Sequence, residues 1–306
     1  MLAIDVGGTT IKAARIDQDG RTQAEITIPT GIGREAIDKI ISICAELRDR
    51  TTLAATVAVP GILDEGTGFI HKSVNLRWNS VPLADLIAAR VSLPTTVVHD
   101  VRAACSAEMQ IGVGKTQSNF LVVVIGTGLA AGIVVGGALI SGATQSAGEI
   151  GHMVVRPNGE NCVCGRLGCA EVYSSAGGIS RRYAAFGGSA ALSVADIAAS
   201  TDPRAKQVWK EATSLLGLAL ANVVVTLDPS VIVLAGGLSR AGDALLVPVR
   251  RALSSEMTWR AAPMLSISAL TSRAGLAGAA IEAWRGAGVP DVASAWSSSL
   301  AATALQ

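Results

Sequence analysis

The chain is short of the residue types that most readily mark a special environment. It has five cysteines and three histidines in 306 residues, and its 25 basic and 24 acidic side chains leave a formal net charge of +1. That balance supplies neither a basic stripe for a nucleic-acid backbone nor an acidic tail, so the expected partners are small molecules. Met1-Leu2-Ala3-Ile4-Asp5 has no basic n-region or apolar h-region and runs straight into an expected strand, which predicts a cytoplasmic protein without a signal peptide. The length suits one large or two medium cores.

Charge is also missing locally. Residues 116 to 148 carry no charged side chain, and Phe120 to Ile140 is long enough to cross a bilayer. Glycines at 126, 128, 132, 136 and 137 break that run into short β-branched pieces, which predicts buried strands joined by turns and no membrane partner.

Along the chain the pattern is α/β. Apolar strands are expected at 2 to 6 and 11 to 16 around a Gly-Gly-Thr-Thr turn, with a third strand after Gln18-Asp19-Gly20. Helical periodicity follows at about 33 to 50 and 101 to 112, with strands near 53 to 59 and 95 to 99. Asp202-Pro203 reads as an N-cap followed by proline at the first helical position, opening a helix to about Leu227. The strand "VIVLAGG" and a helix near 274 to 285 close the pattern, and an Ala/Ser-rich tail from Gly286 is expected to be loosely held.

Because cysteine and histidine are scarce, their placement is informative. His152, Cys162, Cys164 and Cys169 fall within eighteen residues, flanked by Glu149 and Glu171. Three thiolates and one imidazole complete a closed tetrahedral zinc shell with no open position, which points to structural zinc. A disulfide between Cys162 and Cys164 would be strained by their closeness, whereas Gly165 and Gly168 supply the φ freedom of a metal knuckle. A thiolate cluster of this kind needs reducing conditions, which again suggests the cytoplasm. Cys44 and Cys105 read as small core residues.

"AIDVGGTTIKAARID" and "VVVIGTGLAAGIVV" look like one device used twice: strand, glycine-rich turn, strand. Glycine lets backbone N–H groups approach an anion, Thr9, Thr10 and Thr127 can add hydroxyls, and two such hairpins facing one another would clamp a polyphosphate between lobes. Competing phosphate motifs fail. Gly114-Lys115-Thr116 resembles the end of a P-loop, but Met109 stands where its first glycine is required. Gly126, Gly128 and Ala131 fit a dinucleotide fingerprint, but the sequence after them reads as strand, not helix, which leaves an NAD-dependent oxidoreductase a minor reading.

In "TTVVHDVRAACSAE" a β-branched strand delivers His99 and Asp100 to the start of a helix, the end of an open α/β sheet where ligands gather. Asp100 can be the helix N-cap, and a carboxylate fixed by helix N–H groups can also accept a proton from a substrate hydroxyl.

Taken together these residues resemble the sugar kinases of the ROK family, in the actin-like ATPase superfamily. The likeness runs over about residues 2 to 285 and is carried most specifically by Glu-x-x-His followed by Cys-x-Cys-Gly-x-x-Gly-Cys-x-Glu, with "DVGGTTIKAA", "VPGILD", "VNLRW", "GTGLAAGI" and "DPSVIVLAGG" beside it. The resemblance implies a two-lobed actin-like ATPase (ribonuclease H-like) fold: an N-terminal α/β lobe over 1–115, a C-terminal lobe over 116–285 with the zinc loop and adenosine side, and a tail over 286–306. It implies transfer of the γ-phosphoryl of ATP, with Mg2+, to a hexose or N-acylhexosamine, with Asp100 as general base.

In the same resemblance Asp5 helps place magnesium, and Gly7, Gly8, Thr9, Thr10 and Lys12 form the first phosphate loop. Gly126, Thr127 and Gly128 form the second, and Gly236 and Gly237 lie on the adenosine side. Glu149, His152 and Glu171 match sugar-hydroxyl ligands, His152 being also a zinc ligand, while Gly61, Asn75 and His99 border the sugar. A homodimer is implied as well. Many kinases of the family carry Asn-Asp where this chain has His99-Asp100, and asparagine where it has Arg102, so those two positions bear on the sugar's hydroxyl pattern; Arg102 reads most simply as the partner of a surface acid. Relatives that are transcriptional repressors place a helix-turn-helix ahead of the phosphate loop, which here begins at Asp5. A repressor-like protein lacking that domain, or a catalytically silent sugar sensor, is the alternative.

Overall fold

In the computed structural model, which describes residues 1–289 and Trp296, the chain opens with strands β1 (Leu2–Val6), β2 (Thr10–Ile16) and β3 (Thr22–Pro29). Helix α1 (Arg34–Leu47), β4 (Ala55–Val59) and three short strands β5 (Ile62–Asp64), β6 (Phe69–Ser73) and β7 (Trp78–Pro82) follow, then α2 (Leu83–Val91), β8 (Thr95–His99) and α3 (Asp100–Ile111). The charge-free stretch forms β9 (Phe120–Ile125), β10 (Leu129–Val135) and β11 (Ala138–Ile140). After it come helices α4 (Ala170–Ser174), α5 (Ala176–Ala185), α6 (Val194–Ala199) and α7 (Pro203–Leu227), then β12 (Val231–Ala235), α8 (Asp243–Glu256), β13 (Met264–Ile267) and α9 (Ala274–Gly286).

The chain forms two compact units. The first comprises Met1–Thr116, Ser141–Ala147 and the chain from Arg273; the second comprises Gln117–Ile140 and Gly148–Ser272. Their sheets share one plan. In the first, order β3-β2-β1-β4-β8, an antiparallel meander feeds β1, which then runs parallel to β4 and β8. In the second, order β11-β10-β9-β12-β13, β9 takes the place of β1. The two glycine-rich motifs are the first hairpins of these sheets, so the likeness seen in sequence is also a likeness of topology.

Burial follows from position in the sheet. Every residue of β4 and β12 is buried, as expected for strands covered on both faces, whereas the edge strand β3 alternates half-buried and exposed. Helix α1 turns Ile37, Ile40, Cys44 and Leu47 inward at helical spacing. Asp202 caps α7 by accepting the Arg204 N–H, with Pro203 behind it. By length and composition α7 is long and apolar enough to cross a membrane, and its apolar face forms the spine of the second unit's core.

In the first unit α9 packs along α3, and a side chain at Gly278 would fall on the Ala103 carbonyl. Ser106 donates to the Glu282 carboxylate at 2.6 Å across the same contact. Most of the expected tail from Gly286 lies outside the described residues; the Trp296 indole is buried and donates to the Gln18 carbonyl at 2.8 Å.

Candidate active site and metal centre

Strand β8 ends at His99, and α3 begins at Asp100. The cap itself is His99: its Nδ1 accepts the Val101 N–H at 3.3 Å, and Asp100 occupies the first helical position. The Asp100 carboxylate accepts the same N–H at 2.8 Å and lies 3.4 Å from the His99 ring. Burial pushes this carboxyl up to about 6, against the smaller opposing pull of the Val101 N–H and the Arg102 guanidinium.

Arg102 is buried and pairs with Glu65, which sequence reasoning did not single out. A single Glu65 oxygen accepts the His99 backbone N–H and the Arg102 Nε–H, both at 2.8 Å. The expectation of a surface ion pair for Arg102 is corrected in its depth: only 6% of the arginine side chain is exposed, with Nε bonded to Glu65, Nη1 to the Gln145 carbonyl at 2.9 Å, and Nη2 held against Glu65 by charge alone.

The first glycine-rich turn is closed by the Gly7 N–H donating to the Thr10 carbonyl at 2.9 Å, and Thr30 braces it by donating its hydroxyl to the Gly7 carbonyl at 2.7 Å. Gly7 and Gly8 are half-buried, and Thr9 and Thr10 are exposed. Asp5 and Lys12 are cross-strand partners below the turn. Asp5 finds room because α9 presents Gly275, where a Cβ would stand 2.8 Å from its carboxyl carbon. Burial raises the Asp5 carboxyl to about 7; Lys12 pulls it down, and the Asp100 charge pushes it further up. Such a carboxyl is suited to a cation, which restores the charge that burial disfavours.

The second turn is closed by the Gly126 N–H donating to the Gly128 carbonyl at 3.0 Å, and the Gly126 carbonyl accepts the first N–H of α5, from Ala176, at 2.8 Å. The strand β10 follows immediately, which removes the dinucleotide fingerprint. Glu171, in the first turn of α4, reaches back: its Oε2 accepts the Leu129 N–H at 3.0 Å and occupies the space where Gly128 has no side chain. Gly236 has φ +84 and backs onto Ile125 at the end of β9, while Gly237 faces open space. Gly61 has φ +132 and lies against the backbone of Lys72 and Ser73, beside the β6–β7 turn that carries the exposed Asn75.

His152, Cys162, Cys164 and Cys169 come together, their ligand atoms all within 4.8 Å of one another. The Cys162 sulfur lies 3.7 Å from His152 Nδ1, and Cys164 lies 3.7 Å from Cys169. In a tetrahedral zinc site with Zn–S bonds of about 2.3 Å, neighbouring ligands stand about 3.5–3.8 Å apart, so this group has the spacing of a zinc shell. With Nδ1 turned to the sulfurs, Nε2 of His152 lies on the opposite edge of the ring. Gly165 and Gly168 both have positive φ, and at Gly168 a Cβ would fall on the Arg156 carbonyl. Glu149 is exposed one residue before the His152 turn, and its carbonyl accepts the His152 N–H at 3.1 Å.

A second brace, also unforeseen, holds the back of this loop. Buried Arg182 donates to Glu160 at 2.7 Å and to Glu211 at 2.5 Å, and its guanidinium stacks 4.9 Å above the Tyr173 ring. The Tyr173 hydroxyl in turn accepts the Glu160 N–H at 2.7 Å.

Two sheets of one plan, each opened by a glycine-rich hairpin, with a Cys3His group beside the second, define an α/β protein of the actin-like ATPase class. The family model described as ROK family matches residues 1–285, and the chain belongs to that family. It is 34% identical to a glucokinase of Halalkalibacterium halodurans, covering 82% of this chain and 84% of that one. It is 31% identical to an N-acetylmannosamine kinase of Citrobacter koseri, covering 92% and 97%. The crystal structure of a ROK family glucokinase from Streptomyces griseus, in complex with glucose and AMPPNP, superposes with a TM-score of 0.84 at 29% identity over 94% of this chain and 99% of that one.

Proposed function

We propose that this protein is an ATP-dependent sugar kinase that transfers the γ-phosphoryl group of ATP to a hydroxyl of a hexose or N-acylhexosamine. The observation that carries the reading is Asp100: a carboxylate fixed where β8 meets α3, with its proton affinity raised toward neutral pH. Phosphoryl transfer asks little covalent chemistry of a protein and much positioning, and a general base works best with a pKa near the working pH. Asp100 accepts the proton of the attacking sugar hydroxyl. The acceptor-only carboxylates of Glu149 and Glu171 take hydroxyl hydrogens, with His152 through Nε2 and Asn75, Gly61 and His99 bordering the sugar.

The Gly7–Lys12 turn and Gly126, Thr127 and Gly128 present N–H groups and hydroxyls to the phosphates, while Gly236 and Gly237 admit the adenosine side. Asp5 would hold the magnesium bound with the nucleotide, which would supply charge neutralisation for the transferring phosphoryl group. His152, Cys162, Cys164 and Cys169 would hold a zinc ion, and that closed ligand set would keep the loop that carries the sugar carboxylates at fixed spacing. A homodimer and a cytoplasmic setting go with this reading, the latter supported by a thiolate set that persists under reducing conditions.

The test is release of ADP from ATP and Mg2+ in the presence of a panel of hexoses and N-acetylhexosamines. Turnover with glucose or N-acetylmannosamine is expected. Sugar binding without ADP release across the panel would make the protein a sensor instead.

A further inference from the structure

The group around Gln145 has features that packing alone does not require. Gln145 is not glycine, yet its φ is +57, a left-handed conformation that costs free energy unless its surroundings hold it. Both of its hydrogen-bonding ends are engaged: the carbonyl accepts Arg102 Nη1 at 2.9 Å, and the side-chain Oε1 accepts the Glu65 N–H at 3.2 Å. Glu65 then accepts Arg102 Nε and the His99 N–H, both at 2.8 Å, through the same oxygen. Three segments of the first unit, the β5–β6 turn, the head of α3 and the stretch Ser141–Ala147, are thus tied at the residue pair that presents Asp100.

We infer that Glu65, Arg102 and Gln145 form a positioning clamp for Asp100, in which Arg102 acts as a neutralised internal cation and not as a ligand of the sugar. The inference rests on the reading of Asp100 as the base. The geometry supports the second half of it: the Nε and Nη1 edges of the guanidinium are already turned to protein acceptors, Nη2 is buried against Glu65, and a buried arginine that left Glu65 for a substrate would strand a half-buried carboxylate.

The charges near Asp100 are few. Arg102 and His99 flank it in the chain, Glu65 comes from the β5–β6 turn, Asp5 from β1 with Lys12 opposite on β2, and Glu282 of α9 is engaged by Ser106 further down the helix. Within this set the Arg102 cation pulls the Asp100 carboxyl down and its ion pair with Glu65 offsets part of that pull, so removing one partner or the other moves Asp100 in opposite directions.

The experiment is the pH dependence of turnover for Arg102→Met, Glu65→Gln and the double variant, each checked for folding by thermal unfolding. Arg102→Met, which leaves the Glu65 anion, should move the acid limb up by about one pH unit; Glu65→Gln, which leaves the Arg102 cation, should move it down; the double variant should return near the wild type. Arg102→Lys keeps the charge but cannot reach Glu65 and Gln145 together, and should lower kcat about tenfold with sugar KM nearly unchanged. Should Arg102→Met fail to fold, Arg102→Lys and Glu65→Gln decide. Limbs that stay put or move the same way, or a full-rate Arg102→Lys, would overturn the clamp while leaving the base assignment to its own test. A sugar KM that rises in Arg102→Lys with kcat intact would make Arg102 a sugar ligand.

Discussion

Glu171 and Gly128 are fitted to each other: the carboxylate accepts the N–H of Leu129, one residue beyond the glycine, and a Cβ on Gly128 would stand 2.8 Å from Glu171 Oε2. In the proposed reading, one hydrogen bond thus joins a sugar ligand to a phosphate turn. Gly128→Ala is expected to push the carboxylate out of place and raise the sugar KM at least about tenfold, with little loss of thermal stability, because Gly128 needs no left-handed φ. Steady-state kinetics in sugar and in ATP, set beside a melting curve, check this.

Metal content is the second expectation. Cys164 is the exposed member of the group, so Cys164→Ser disturbs the core least while removing one thiolate. Elemental analysis should find about one zinc per wild-type chain and markedly less in the variant. The variant should melt lower and bind sugar more weakly, and a variant of unchanged sugar affinity would show that the metal does not organise the sugar side.

Acid should stop turnover before it unfolds the protein. As the proposed base, Asp100 would have to be ionised to take a proton, and burial has raised it to about 6, so kcat is expected to fall below about pH 6. Stability runs the other way for these groups. The folded chain holds protons on Asp100 and on Asp5, the latter raised to about 7, more tightly than the unfolded chain with its usual 3.8, so their contribution is fully present below about pH 4 and is lost as pH rises toward 7. Urea midpoints at several pH values should show a smaller loss over that range in Asp5→Asn than in the wild type.

The α3–α9 contact yields a pure stability expectation. At Gly278 even a methyl group would meet the Ala103 carbonyl, so Gly278→Ala must push the helices apart, at a cost of about 1–3 kcal/mol. Differential scanning calorimetry reads it. A variant as stable as the wild type would mean that the two helices separate freely.

What could be read before the fold was known depended on how near in sequence the partners lie. The Cys3His group was legible because its residues fall within eighteen positions, and the two hairpins because glycine and β-branched runs act locally. Strand β8 and helix α3 lay where the pattern put them, although the cap proved to be His99, whose ring nitrogen does the work expected of an aspartate. Helix α8 went unseen since Pro248 stands inside it, and the short strands β5 to β7 are set by pairing with each other more than by their own composition. The bonds from Glu65 to Arg102 and from Glu171 to Leu129 join residues 37 and 42 apart, and no local rule announces such pairs. In hindsight, an arginine where the resemblance leads one to expect an amide was a signal that a buried acid must exist to meet it.

The most direct measurement is turnover by Asp100→Asn beside its equilibrium binding of sugar and ATP. A fall in kcat of about a thousandfold with dissociation constants within about threefold of the wild type is expected for loss of a positioned base. A variant that keeps more than about a tenth of the wild-type rate would contradict the role given to Asp100, and with it the chemistry proposed for the protein.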